Sequence, residues 1–125
     1  MTDINEWVVI LVDDEPDSLN LLHDILTLNG AKVHQTISGA QCLEELGYIT
    51  PTLFVLDLAM PHPDGWDLLA FFRENAATKH TPVVAVTAYY SEKVAAQAYE
   101  AGFDAFFPKP IKASEFLAKL KELIS

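Results

Sequence analysis

The feature that most constrains this chain is a five-residue apolar run, Val8-Val9-Ile10-Leu11-Val12, followed at once by three acids, Asp13, Asp14 and Glu15. A run without polar alternation suits a strand buried on both faces, which in soluble proteins means a parallel sheet covered by helices on each side. Three adjacent carboxylates need water or a cation, so the burial must stop where the strand stops. Further short runs fall at Lys32–Thr36, Leu53–Leu56, Val83–Thr87 and Ala105–Phe107, with Trp7 opening the first.

Between these runs the apolar period lengthens to that of helices. Past Pro16, a favoured first-turn residue, Leu19, Leu22, Ile25 and Leu26 form one stripe, and Asn29-Gly30 supplies a stop. A shorter helix runs from Ser38 to Leu46 and closes at Gly47. Asp64 can cap Trp66–Glu74, and Ser91 can cap Glu92–Glu100, which ends at Gly102. Phe116, Leu117, Leu120, Leu123 and Ile124 give the last helix its apolar face. Five strands alternating with five helices predict an α/β fold with a doubly wound, five-stranded parallel sheet and right-handed crossovers. The most hydrophobic strand, the first, belongs at the centre, and ligands bind at the carboxyl ends of strands in such sheets.

Composition narrows the function classes. One domain spanning residues 1–125 is expected, and a hydrophobic content of 50% fits a globular core. No apolar run approaches the roughly 20 residues of a membrane span, and Met-Thr-Asp-Ile-Asn-Glu lacks the features of a signal peptide. A single cysteine, Cys42, excludes an internal disulfide and points to a reducing, cytoplasmic setting; in its small apolar context it reads as packing. The net charge of −10 argues against direct nucleic-acid binding and against anionic membranes.

The strand ends carry the chemistry. Leu53-Phe54-Val55-Leu56 ends in Asp57, Val83-Val84-Ala85-Val86 ends in Thr87, and Ala105-Phe106-Phe107-Pro108 ends in Lys109. In a parallel sheet these ends share one edge with Asp13 and Asp14. Two carboxylates about 4 Å apart repel by about 4 kcal/mol at an effective dielectric near 20, and a hard divalent cation offsets that. Thr87 and Lys109 are redundant in a pure metal site but sensible where a phosphoryl group is also held. Asp57, apart from the acidic pair, is placed to be its nucleophile.

The set Asp13-Asp14, Asp57, Thr87-Ala88 and Lys109-Pro110 resembles the receiver domain of two-component response regulators, of the CheY-like kind. The stretches VVILVDDEPDS, LFVLDLAMPHPDGWDLL, TPVVAVTAYY and AGFDAFFPKPI match in order and spacing over essentially the whole chain. The resemblance implies strand order 2-1-3-4-5, the flavodoxin-like order. It further implies that Asp57 accepts phosphoryl from a sensor histidine kinase or phosphotransfer protein. Mg2+, with Mn2+ as an alternative, would be held by Asp14, Asp57 and the Ala59 backbone carbonyl, and by Asp13 through water. Thr87, Lys109 and the Ala88 backbone would bind the phosphoryl group, Gly65 and a cis Lys109-Pro110 bond would be structural, and Phe106 would act with Thr87 as the switch. The output surface would be that of the fourth helix, fifth strand and fifth helix, for a downstream protein or a homodimer. Such a domain is not an enzyme beyond its own phosphorylation and dephosphorylation.

Departures from the pattern are informative. Ala59 and Tyr89 stand two residues after Asp57 and Thr87, where the family controls water access, and an apolar and a bulky residue there suggest slow loss of phosphate. Phe106 lacks a tyrosine hydroxyl, so a switch there works by ring packing. Pro108 fits an edge strand. Phe103 and Tyr90 are expected near the output surface, while Trp66 and Phe71-Phe72 read as mostly core. His23, His34, His62 and His80 lack metal-ligand spacing and read as solvated or packing residues. A haloacid-dehalogenase-type phosphatase would need an acid where Ala59 stands, and a flavin site would not tolerate acids in its phosphate loop. A receiver binding proteins without phosphorylation is disfavoured because the acids, hydroxyl and lysine are all present. The chain ends with its fifth helix, which fits a stand-alone receiver or a domain of a larger regulator or hybrid kinase.

Overall fold

The computed structural model describes residues 3–124. Within them a 3-10 turn, Ile4–Glu6, leads into strict alternation of strand and helix. The order is β1 Val8–Val12, α1 Pro16–Leu28, β2 Lys32–Thr36, α2 Gly39–Glu45, β3 Leu53–Asp57, α3 Gly65–Glu74, β4 Val83–Thr87, α4 Glu92–Ala101, β5 Ala105–Pro108 and α5 Ala113–Ile124. Neighbouring strands are all parallel, in the order β2-β1-β3-β4-β5, so the fold class and the central place of β1 are as expected.

Burial on both faces explains the uninterrupted apolar runs. Val9, Leu11, Leu53, Val55, Val84 and Val86 point into one core with α1 and α5. Their alternates Ile10, Val12, Phe54, Leu56, Val83 and Ala85 point into a second core with α2, α3 and α4. The period-2 pleat thus feeds two cores from one strand. In the second core Phe54 stacks on Phe72 with ring centroids 3.8 Å apart. Pro108 ends an edge strand that pairs only with β4, where a missing N–H is tolerated.

The two caps read from the sequence, Asp64 and Ser91, are formed, and Ser38, expected inside α2, is its cap instead. Ser38 Oγ accepts from Gln41 N at 3.1 Å and Ser91 Oγ from Val94 N at 3.0 Å. At α3, Asp64 accepts from Asp67 N while Asp67 accepts from Asp64 N, each at 2.9 Å, a reciprocal capping box. Helix α4 ends at Gly102, whose φ of +117° lies in the region glycine tolerates best. Below it, Arg73 donates to Thr81 O at 2.8 Å, to Gly102 O at 2.9 Å and to Asp104 at 2.9 Å, tying α3 to the turn before β5.

Two expectations need correction. Phe103 is 3% exposed and meets Trp66 edge-on at 5.5 Å, so it is core rather than surface. It follows Gly102, which turns the chain back onto the sheet, and the ring is drawn into the second core. Phe71 is exposed, because helical spacing lets Leu68, Leu69 and Phe72 take the buried face of α3.

Candidate functional site

Four of the strands deliver their ends to one edge, as parallel register requires. Asp13 follows β1 and is 1% exposed, Asp57 closes β3 at 4%, and Thr87 closes β4 at 2%. Lys109 follows β5, its amide donating to Thr87 O at 2.8 Å. Asp14 is solvent-exposed at the rim, yet its carboxylate joins those of Asp13 and Asp57, with one oxygen of each within 4.8 Å of the others.

The side chains at three strand ends are fixed by one device. Asp13 Oδ1 accepts from Glu15 N at 2.9 Å, Asp57 Oδ1 from Ala59 N at 3.0 Å, and Thr87 Oγ1 from Tyr89 N at 3.0 Å. Each is a side-chain oxygen bound by the amide two residues on, the local turn that Asp and Thr favour. With Tyr89 N–H donating to it, the Thr87 oxygen keeps its own hydrogen to donate elsewhere. The second carboxylate oxygens face one ammonium: Lys109 Nζ lies 3.0 Å from Asp13 Oδ2 and donates to Asp57 Oδ2 at 3.2 Å.

Charge does not balance there. Three carboxylates and one ammonium leave a net charge of −2 at a largely buried edge. Asp13 Oδ2 is buried and accepts no hydrogen bond among the described residues; its short contact with Lys109 is an ion pair not aligned for one. Burial pushes the Asp57 carboxyl up from 3.8 to about 6; the Ala59 N–H opposes this, the Asp13 charge adds to it, and Lys109 opposes it. Burial also pulls on the Lys109 ammonium, but pairing with Asp13 and Asp57 outweighs it and holds its pKa above the usual lysine value. Lysine therefore stays charged, and the deficit lies with the acids. An all-oxygen donor set and a net charge of −2 at a buried edge fit a hard divalent cation such as Mg2+.

Other singled-out residues frame the site. The Lys109-Pro110 bond is cis. A Cβ on Gly65 would sit 2.8 Å from Asp57 O, so only glycine lets α3 start this close to β3. Phe106 is 8% exposed, and Tyr90 lies over it with ring centroids 5.6 Å apart. Glu15 lies at the start of α1 without a capping hydrogen bond from its side chain. Two grooves of about 310 Å3 flank the edge, one lined by Asp17, Leu21, Ala88, Lys109 and Ile111, the other by Ala59, Trp66, Thr87 and Tyr89. A larger concavity of about 460 Å3, lined by Pro51, His80 and Leu123 among others, is remote from this edge and brings no acids together.

Sequence reasoning missed the order in the loop after Asp57. His62, although 81% exposed in its side chain, pairs through Nδ1 with Asp67 and lies 3.7 Å from Asp64. Pro63, after a cis bond, packs on Gly39, where a Cβ would lie 2.1 Å from Pro63 O. The signal was the capping pair Asp64 and Asp67, which needs only one more turn-forming residue to recruit His62.

Residues 9–121 match the response regulator receiver domain family. An uncharacterized 14.6 kDa protein encoded in the sodA1 3' region of Leptolyngbya boryana is 31% identical over 122 residues, 98% of this chain and 93% of that protein. The polar-differentiation response regulator DivK of Brucella abortus (strain S19) is 25% identical over 93% of this chain and 94% of its own. Among solved structures, a putative response regulator from Chloroflexus aurantiacus J-10-fl superposes with a TM-score of 0.89 at 24% identity, covering 94% of this chain and 97% of that one. The chemotaxis response regulator CheY4 of Vibrio cholerae does so with a TM-score of 0.85 at 20% identity, over 94% and 98%. The fold is CheY-like, and the chain belongs to the response regulator receiver domain family.

Proposed function

We propose that this chain is a phosphoacceptor receiver in which Asp57 takes a phosphoryl group from a sensor histidine kinase or phosphotransfer protein. The observation that carries this reading is the charge deficit of the strand-end pocket, with Asp57 oriented inside it by Ala59 N–H and Lys109. An Asp57 carboxylate oxygen attacks phosphorus while the bond from phosphorus to the donor nitrogen breaks and its electron pair stays on the imidazole. Asp14, Asp57 and the Ala59 carbonyl, with Asp13 through water, would hold Mg2+ or Mn2+, which would supply positive charge for the phosphoryl oxygens. Lys109 shares that task, moving from the acids toward the new anion, and the Thr87 hydroxyl and Ala88 amide donate to its oxygens. The donor approaches along the groove of Leu21, Pro110 and Ile111, which opens beside Lys109.

The output runs through the β4–α4 loop. A shift of Thr87 reaches Tyr90 three residues on, and Tyr90 rests on Phe106, so the switch works by ring packing toward the α4-β5-α5 surface. A downstream protein or a second copy of the chain binds there. The domain catalyses only its own phosphorylation and dephosphorylation, as one unit over residues 1–125, in the cytoplasm. No helix among the described residues is long and apolar enough to cross a membrane. The test is labelling by acetyl phosphate with Mg2+, comparing wild type with Asp57→Asn. Labelling of wild type alone is expected; equal labelling of both, or of neither, overturns the reading.

A further inference from the structure

Helix α4 is held unequally at its two ends. Of its side chains only Ala98 is buried, with Val94 and Ala95 partly so. One methyl group buries far less apolar surface than Leu68, Leu69 and Phe72 do on α3. At the N-terminal end the hydrogen bonds belong to Ser91, whose Oγ accepts from Val94 N and whose carbonyl accepts from Ala95 N. Both stay inside the helix's own segment and tie it to nothing else.

The C-terminal end is clamped from several sides. Gly102 N and Phe103 N both donate to Ala98 O, at 3.2 and 3.0 Å, and the Phe103 ring is buried directly behind that turn. Asp104 N donates to Val83 O at 2.8 Å while Asp104 Oδ2 accepts from Val83 N at 2.8 Å, so the chain leaving α4 is fastened to β4. A cation complements the carbonyls at a helix C-terminus, yet α4 has no basic residue in its last turn. Arg73 of α3 supplies it. One guanidinium nitrogen donates to Gly102 O and Asp104, and the other donates to Thr81 O. The planar fork fixes these directions together, which a flexible ammonium does not. Helix α3 cannot yield in turn, because its buried face is packed into the second core.

We propose that Arg73 makes the C-terminal end of α4 a fixed pivot, so that occupancy of the strand-end site displaces the N-terminal turns of α4 and leaves its last turn in place. This rests on the phosphoacceptor reading above. A pull on the loop of Thr87 and Tyr90 enters α4 at Ser91, meets no fully buried side chain before Ala98, and stops at Gly102. The surface that changes is then Tyr90 with the first turns of α4, while Tyr99, half-exposed in the last turn, keeps its surroundings. Arg73 touches neither the acceptor nor its ligands; it is a positioning residue.

The experiment labels the protein with 3-fluorotyrosine, assigns each signal by a single Tyr→Phe change, and uses beryllofluoride with Mg2+ as the phosphoryl mimic, whose own fluorines report occupancy. In wild type the Tyr90 signal should shift on occupancy and the Tyr99 signal should not. In Arg73→Ala and Arg73→Lys the Tyr99 signal should shift by an amount comparable with that of Tyr90. The lysine variant keeps the charge and most of the stem, so it folds even where the alanine variant does not. Asp104→Asn keeps an oxygen for Val83 N and the Arg73 bonds to both carbonyls, and its Tyr99 signal should stay still. A merely structural Arg73 would lower stability without changing which tyrosines respond. With beryllofluoride bound, a moving Tyr99 or an unmoved Tyr90 in wild type overturns the pivot, as does a still Tyr99 in the Arg73 variants. No bound beryllofluoride in wild type overturns the phosphoacceptor reading, and the pivot with it.

Discussion

Replacing Asp57 by Asn should make the metal-free protein more stable at neutral pH, even though it removes one partner of an ion pair. Burial raises the Asp57 carboxyl from 3.8 to about 6, against the Ala59 N–H and Lys109 and helped by the Asp13 charge. A carboxyl whose pKa is higher folded than unfolded holds its proton more tightly in the folded state. Stability therefore declines as pH rises from about 4 to about 6 and levels off above that. The interval corresponds to about 3 kcal/mol as an upper bound, and water at the mouth of the site reduces it to about 1–3 kcal/mol. Asn keeps a carbonyl oxygen for Ala59 N–H but drops the charge and the second oxygen that accepts from Lys109, a loss that partly offsets the gain. Urea unfolding in EDTA at about pH 7.5 should show Asp57→Asn with a higher midpoint and an unchanged slope, and the gap should close near pH 4. Mg2+ should then raise the midpoint of wild type more than that of the variant. A variant less stable than wild type at neutral pH, or a gap independent of pH, would refute the claim that the pocket lacks positive charge.

Three other outcomes are expected. Arg73→Ala should lose about 2–3 kcal/mol in urea unfolding, because its charged hydrogen bonds to Thr81 O, Gly102 O and Asp104 go together; a loss within error of zero would show these contacts to be idle. Gly39→Ala should cost about 1–3 kcal/mol or more, since its Cβ would meet Pro63 O at 2.1 Å, and thermal unfolding reads it directly. His62 should titrate above the usual 6.5, because hydrogen bonding to Asp67 and then the charges of Asp67 and Asp64 favour its cation. Its contribution is fully present below 6.5 and fades as pH rises through the folded-state value. Histidine ring signals in NMR should show this, and Asp67→Asn should move the midpoint down.

The arrangement of the site was legible because parallel strands leave few choices. Once Val8–Val12, Leu53–Leu56, Val83–Thr87 and Ala105–Phe107 are strands of one sheet, their carboxyl ends must share an edge, and Asp13, Asp57, Thr87 and Lys109 are the residues standing there. Local chemistry was legible for the same kind of reason: Asp64 and Ser91 cap helices through bonds spanning three residues. Phe103 was misjudged because its fate depends on which way the chain leaves Gly102, and Phe71 because a pair of adjacent phenylalanines on a helix cannot both face the core.

The sequence by itself determined the element order, the caps and the set of groups brought to the sheet edge, since each follows from spacing along the chain. Only the tertiary structure decided how those groups share charge. That Lys109 spans Asp13 and Asp57, that Asp13 Oδ2 is left without a hydrogen bond, and that Asp57 is pushed up to about 6 depend on distances between strands far apart in sequence. The same holds for the clasp of Pro63 on Gly39 and for the groove between Ala59 and Tyr89. Electrostatic and steric energies change over a single ångström, and a one-dimensional pattern fixes which residues meet but not how closely.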